Sequence, residues 1–528
     1  MVNDKGEIIM EKTLAVVGAG IAAVPIVRKA KELGIKTIGF GEFDSLAKDE
    51  FDLFVEKSIF DIEGLVEACK KNNVTGVIAS SEITTESTAL LAYRLGLPGN
   101  ECRDGFSVRN KFIMRERVKT ISSVKQPKYY LCEGENRLNY PVVVKAVDAC
   151  SKRGIKLVDN DKDFIDAVNK AKKISTNGTA LVEEYLNGGR EYSVECISCK
   201  NIRRIVQVTE KISSGPPYFT EIAHHQPADL SLSVMEKVNK GIYDILDVLG
   251  ITCGMAHIEI KILNNDIYFI EAGARAGGDH IADKLVYLST DYDYYKAAIE
   301  CSFNELENKE INNVAYSGIY FHLKENSVYK ELFEKAANAD WCVCNTVHDK
   351  DFLDAVGNAE AVDSGYIIYR SNHRIGLEDI QNCSAVVIND FNDAFDIIWN
   401  HNKEIGRDLS DEDLKNGIKK FLNQGYVVAV LEKKHVLALL VLYCNNFDTL
   451  EAYICNVYVL TKFRKQGLSK LLLEKAIRMC RDKKFSTIKL HVAEKNTPAI
   501  SLYKQYGFIF NGKYKDDGEK QLEMVKHL

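Results

Sequence analysis

Residues 254–281 read GMAHIEIKILNNDIYFIEAGARAGGDHI. Two alternating runs, His257 to Ile262 and Ile267 to Glu271, flank the turn-prone Asn264-Asn265-Asp266. Period-two alternation either side of such a break reads as a β-hairpin. With a three-residue turn centred on Asn265, Glu259 and Glu271 face each other across the strand pair. Like charges in that position destabilise a sheet. A divalent cation between them relieves the repulsion, because hard cations such as Mg²⁺ take carboxylate oxygens and keep positions open for phosphate. Downstream, Ala272 to Gly278 is a small-residue loop with one guanidinium, Arg275, whose fork matches phosphate or carboxylate. These residues point to phosphoryl chemistry; a solvated hairpin followed by a loop is the competing reading of the same window.

The 528 residues exceed what one core supports, so roughly three to four domains are expected. A hydrophobic fraction of 46% with 27% charged residues is ordinary globular composition. A net charge of −6 argues against nucleic acid or an anionic membrane surface as the main partner. The opening MVNDKGEIIMEK lacks a basic-then-apolar signal, and the longest apolar run, Val436 to Cys444, is far short of a membrane span. Fourteen scattered cysteines then read as free thiols in a reducing cytoplasm. The lone Cys196-Ile-Ser-Cys199 reads as strand thiols, with no second pair to make a zinc site.

In chain order, Thr13 to Gly18 is an apolar strand, followed by Gly18-Ala-Gly20-Ile-Ala-Ala23, a helical run to Leu33, a strand Ile35 to Phe40 and Glu42. This fits G-x-G-x-x-A with a later acid, the dinucleotide fingerprint, although any tight strand-to-helix turn favours the same glycines. Val74 to Ala79 and Ser87 to Leu95 continue the βα alternation. Arg109 to Arg115 is an amphipathic helix start carrying Lys111, and Lys145 ends the apolar strand from Tyr140. A buried ammonium is costly unless it meets an anion, and nucleotide phosphate is a candidate. Ala180 to Leu186 is a strand ending in carboxylates, and His224-His225 lie in a turn-rich loop before the helix Leu232 to Leu249.

E-x-K, a turn, then E-A-x-A-R and GGD resembles the metal-binding end of the ATP-grasp carboxylate–amine ligases, most of all the branch with L-amino-acid ligases. That resemblance implies Glu259 and Glu271 as Mg²⁺ ligands and Lys111 and Lys145 on ATP phosphates. It implies Glu183, Tyr185 and Leu186 around adenine, at a strand with a free edge, and Glu191 on ribose. Arg275 is the implied catalytic cation, and His225 and Arg275 the candidate substrate contacts. Relatives carry Asn two residues after the second Glu, where this chain has Gly273, so the implied shell lacks the amide ligand. Asp148 to Gly154 resembles the phosphate-covering loop but is poor in glycine. The opening α/β domain of such ligases binds no dinucleotide, and strands between Tyr316 and Gly376 resemble their lid subdomain.

The last segment changes character. R-x-x-G-x-[small] at Arg464 to Ser469 joins a strand to a helix whose exposed N-terminal amides suit a pyrophosphate. With Asn496-x-x-Ala499-x-x-x-Tyr503-x-x-x-Gly507-Phe508, it resembles the Gcn5-related N-acetyltransferases. The resemblance implies that the amides of Gln466, Gly467, Leu468, Ser469 and Lys470 hold acetyl-CoA, that Asn496 contacts it and that Tyr503 is the general acid. Glu451 is a guess at the base.

The expected architecture is α/β and multidomain. A Rossmann-like domain (1–104) leads into an ATP-grasp domain (105–310), a lid subdomain (311–382) and an acetyltransferase domain (383–528). The expected function is bifunctional: ADP-forming ligation of a small-molecule carboxylate to an amine through an acyl phosphate, and N-acetylation of an amine. The cofactors are ATP, Mg²⁺ and acetyl-CoA, and a homo-oligomer is left open. An ATP-grasp carboxylase activating bicarbonate and a non-catalytic ATP- and CoA-sensing regulator are the alternatives.

Overall fold

The computed structural model describes residues 11–528 except 103–105, 150–152, 217–218, 348–364, 377–382, 390, 392–393, 396, 400–409, 433–434, 465–466 and 517–518. Thr13–Val17, Lys36–Gly41, Leu53–Glu56 and Gly76–Ala79 form a parallel sheet in which the first strand lies between the second and the fourth. Every residue of Thr13–Val17 is buried, as expected of a parallel strand covered on both faces. Gly18 follows with φ +92, and a methyl carbon there would lie 2.6 Å from Ser80 Oγ. The first glycine of the G-x-G-x-x-A pattern is therefore required by packing, with or without a dinucleotide.

A small antiparallel sheet runs Tyr129–Leu131, Ala180–Glu184, Val142–Ala146, Lys156–Val158 in spatial order, backed by the helix Asp161–Ile174. Beside it lies an eight-stranded sheet ordered Asp266–Gly273, Cys253–Leu263, Arg190–Cys199, Ile202–Ser213, Glu221–Gln226, Tyr316–Phe321, Tyr366–Ser371, Cys342–Asn345. Among the described residues, Tyr316–Phe321, Tyr366–Ser371 and Cys342–Asn345 extend this sheet beyond Glu221–Gln226. The helix Leu232–Leu249 starts at a Ser231 cap and stops at left-handed Gly250; its apolar stripe packs on Val194, Val208, Ile258 and Ile260. Alternation sends Ser193, Glu195, Thr209, Lys211, His257 and Glu259 to the opposite face. One face makes the core, and the other is charged.

The C-terminal sheet has seven strands, ordered Cys383–Ile388, Tyr426–Glu432, His435–Tyr443, Glu451–Val459, Thr487–Ala493, Glu519–His527, Ile509–Asp516. All its pairs are antiparallel except Glu451–Val459 with Thr487–Ala493. One buried cluster joins Tyr320 and Tyr369 of the eight-stranded sheet, with Leu332 and Phe333 of the helix Lys330–Ala336, to Leu440 and Met524 of this one, with Leu472 and Phe508 packed beside it. Among the described residues no helix is long and apolar enough to cross a membrane. The described cysteines, Cys196 and Cys199 included, are free thiols.

Candidate active sites

The hairpin forms, with a different turn. Leu263 pairs with Asp266 across a two-residue turn in which Asn264 (φ 55) and Asn265 (φ 62) are both left-handed. Such a turn matches the twist of the flanking strands. It would set Glu259 against Ile270, but a bulge after Ile260 and Phe269 moves the register by one residue and places Glu259 opposite Glu271. The expected pairing is right, and the three-residue turn is replaced by a shorter turn plus a bulge.

Cations surround these carboxylates. Lys111, 4% exposed at the start of the helix Lys111–Val118, puts Nζ 2.8 Å from Glu271 Oε1 and 2.6 Å from the carbonyl of Ala149. Lys211 Nζ lies 2.6 Å from Glu259 Oε1 and 3.2 Å from Glu221 Oε1. His257 donates from Nδ1 to Glu195 Oε1 at 2.5 Å and points Nε2 at Glu259 Oε1, 3.4 Å away. Glu195 and Glu259 raise the His257 pKa to about 9 against the cost of burial, so the ring is an imidazolium at neutral pH. Lys211 and His257 in turn hold Glu259 well below the usual carboxylate range despite its burial. Arg275 donates from Nε (3.2 Å) and a terminal nitrogen (2.8 Å) to Glu82 of the first domain.

Lys145 and Glu183 come together, 2.6 Å apart, and Arg115 Nε donates to the other Glu183 oxygen at 2.8 Å. Burial opposes the Glu183 charge, yet Arg115 and Lys145 bring its pKa down to about 2. Glu183 is 3% exposed, and both of its oxygens are engaged in this triad. The strand Ala180–Glu184 lies between two others, so it has no free edge; unpaired backbone begins at Tyr185. Half-buried Tyr185 and Leu186 follow, and the Tyr185 ring sits 6.2 Å from that of Phe219. Glu191 Oε1 is 3.7 Å from Lys261 Nζ. The centre of the expected phosphate-covering loop, 150–152, lies outside the described residues.

His225 is a correction. It lies on the strand Glu221–Gln226, not in a loop, and faces away from Glu259. Its Nδ1 is 3.0 Å from the Tyr369 hydroxyl and its ring 5.1 Å from that of Tyr320, where burial and Arg374 hold its pKa well below 6.5. Its neighbour His224 takes the charged face, with Nε2 3.4 Å from Asp279 of the glycine-rich loop. The histidine pair was legible in the sequence; which member faced the site depended on the strand, and alternation decided it.

Two opposed carboxylates, with side chains 33% and 23% exposed, are the oxygen donor type that Mg²⁺ takes. Gly273 adds no oxygen, and a methyl carbon there would lie 3.3 Å from Arg275 Nε, so that guanidinium occupies the space. Among the described residues no group of three or more His, Cys, Asp or Glu could hold a metal ion. The pair therefore fits a cation whose remaining ligands are phosphate oxygens and water.

In the C-terminal sheet, Glu451–Val459 and Thr487–Ala493 pair only from Glu451/Thr487 to Ile454/Leu490, and both strands continue past that point. Gly467 (φ +81) caps the helix Leu468–Asp482, giving it free amides at Leu468 and Ser469; Gln466 lies outside the described residues. Lys470 Nζ stands 5.8 Å from the Tyr329 ring centre. Tyr503 is 7% exposed, and burial pushes its hydroxyl up to about 12. Asn496 caps the helix Thr497–Gln505 by accepting the Ala499 amide at 3.3 Å. Glu451 pairs with Lys489 at 2.6 Å, well before the divergence. His491 sits at the divergence, with Nδ1 3.2 Å from the Tyr453 hydroxyl and Nε2 3.3 Å from Glu523. Sequence reasoning missed His491, because the end of a strand pairing has no local signal.

A family model of the ATP-grasp domain matches residues 138–283, and one of the acetyltransferase (GNAT) family matches 389–508. Among solved structures, L-amino acid ligase from Bacillus licheniformis has a TM-score of 0.57 at 21% identity, over 69% of this chain and 95% of that one. Phosphoribosylglycinamide synthetase from Anaerococcus prevotii has a TM-score of 0.53 at 19% identity, over 69% and 94%. Carbamoyl phosphate synthase large chains of Thermotoga petrophila and Pseudothermotoga lettingae are 28% identical over 158 residues and 25% over 281. Those matches cover 30% and 49% of this chain but only 14% and 25% of the relatives' own length. The chain is built from an ATP-grasp ligase fold followed by a GNAT-family acetyltransferase domain.

Proposed function

We propose that the ligase half joins a small-molecule carboxylate to an amine with conversion of ATP to ADP, and that the C-terminal half transfers acetyl from acetyl-CoA to an amine. The observation that carries the first half is the cross-strand pairing of Glu259 with Glu271 on a face lined by Lys111, Lys211 and His257. Glu259 and Glu271 hold Mg²⁺, and Lys111 and Lys145 meet the phosphates. Bound Mg·ATP supplies the phosphoryl group that turns the carboxylate into an acyl phosphate. Tyr185, Leu186 and Phe219 wall the adenine, and Glu191 takes ribose. Arg275 offsets negative charge at the acyl centre, and His224 holds the Asp279 loop beside it. Such catalysis is positioning and charge neutralisation, with no protein nucleophile.

In the second half, the unpaired facing edges after Ile454 and Leu490 suit the amide-bearing arm of CoA, which adds to a sheet as a strand would. The amides of Leu468 and Ser469 take the pyrophosphate. His491, backed by Glu523, accepts the amine proton, and Tyr503, kept protonated by burial, returns one to the leaving thiolate. The four-part domain division and a small-molecule metabolic role in the cytoplasm complete this reading.

The test is a screen of carboxylates and amines that reads ADP and free CoA in parallel on the full chain. Carboxylate- and amine-dependent ADP release supports the ligase. The second reading is an ATP-grasp carboxylase that activates bicarbonate. ADP release that needs bicarbonate and no amine would replace the first reading with that one.

A further inference from the structure

Where the ligase sheet meets the acetyltransferase sheet, a cavity of about 60 Å³ lies between Arg190, Asp229, Arg481, Lys526 and the turn at Gly507. Such a space takes a few waters or one small ion. Glu210 binds Arg190 and, at 2.6 Å, Arg374, and Asp229 binds Arg481. Two carboxylates therefore face three guanidiniums and the ammonium of Lys526, which lies beside His527. Lys526 is 4% exposed, and its side chain makes no hydrogen bond or ion pair among the described residues. Arg190 Nε is buried without an acceptor. A methyl carbon on Gly507 would lie 3.2 Å from Lys526 Nζ and 3.3 Å from Arg190 Nε, so two unsatisfied donors converge on one spot. Buried donors and charges left like this cost stability until an acceptor arrives.

We propose that this seam is a binding site for a small oxyanion of the phosphate class, gripped by Arg190, Arg481 and Lys526. Guanidinium forks match tetrahedral oxyanions, and a dianion balances the surplus of two cations. Burial, Arg190 and Arg481 push the Lys526 pKa well below 10.5, with Glu210 opposing. Arg190 belongs to the ligase sheet, while Arg481 and Lys526 belong to the acetyltransferase, so occupancy fastens the two halves together.

The experiment uses the full chain with saturating ADP and CoA, so that both nucleotide sites are filled. Inorganic phosphate is titrated against chloride at constant ionic strength, by melting and by calorimetry. Wild type is expected to gain melting temperature with phosphate. Lys526→Met is expected to melt higher than wild type without phosphate and to lose at least about tenfold in phosphate affinity. An equal response to chloride or an unchanged response in Lys526→Met overturns the site. Glycerol phosphate separates the sources: equal binding assigns the phosphoryl group of a metabolite, and binding by inorganic phosphate alone assigns the free ion. A response to malonate with none to phosphate refutes the phosphate class.

Discussion

Lys111 Nζ lies 2.8 Å from Glu271 Oε1, so a lysine suited to phosphate and a carboxylate suited to a metal neutralise each other. Lys211 does the same for Glu259 at 2.6 Å. Opposed carboxylates are thus tolerable on one sheet face because each has its own cation. In the proposed ligase reaction Glu259 and Glu271 would hold Mg²⁺, and Lys111 would turn from Glu271 to a phosphate.

Glu271→Gln is therefore expected to lower ADP formation by at least about 10²-fold, the scale of losing one preorganised electrostatic partner. Acetyl-CoA binding should be untouched. Coupled ADP assays and calorimetry with acetyl-CoA check both halves, and undiminished ligase turnover in this variant refutes the metal role.

Glu183 answers to two buried cations, and Glu183→Gln leaves Arg115 and Lys145 without their counter-charge. The expected cost is about 3–5 kcal/mol, as for other broken buried pairs. Because its folded pKa is depressed to about 2 from 4.5, the contribution is complete above about pH 4.5 and disappears as pH falls through about 2. Denaturant titrations of wild type and variant across acid pH should converge at the low end.

His257 has the opposite sign. Its folded pKa is raised from 6.5 to about 9, so its contribution is complete below pH 6.5 and is lost as pH rises through about 9. Wild type should lose stability over that alkaline window, and His257→Gln should flatten the loss. Parallel pH profiles for the two proteins would contradict the imidazolium.

The adjacent histidines should separate by phenotype. His224→Ala is expected to reduce ligase turnover about tenfold by loosening Asp279, a positioning effect. His225→Ala opens a hole among Tyr320, Tyr369 and Gly318 and should lower the melting temperature while leaving KM for ATP intact. Turnover and melting measured on both variants decide it.

Tyr503→Phe should slow acetyl transfer by about 10²-fold and spare ADP release, since a positioned acid contributes on that scale. Free-CoA and ADP assays on one preparation make the comparison.

Much of the ligase site was legible because alternation acts locally. His257 and Glu259 share a face by parity, as do Glu191 and Glu195, and the two Asn residues announce the hairpin. The turn length was not legible, since a bulge at Ile270 compensated for it. Nor was Lys211, whose register depends on a second irregularity between Ile205 and Gln207. Arg115 was passed over although it lies one helical turn after Lys111, because its partner Glu183 comes from a strand far along the chain. The cover on the hinge strand was not legible for a related reason: whether a strand has a free edge depends on its neighbours, and Tyr129–Leu131 covers one side of Ala180–Glu184.

The buried cluster that runs from Tyr320 and Tyr369 into Leu440 and Met524 has a practical implication for anyone wishing to study one enzyme without the other. Cutting the polypeptide near residue 382 would strip aromatic and aliphatic side chains of their cover on both fragments, leaving adhesive surfaces prone to clump. Separate chemistries can share a scaffold that melts as one body, so silencing either half by a point substitution is the sounder route than dissection.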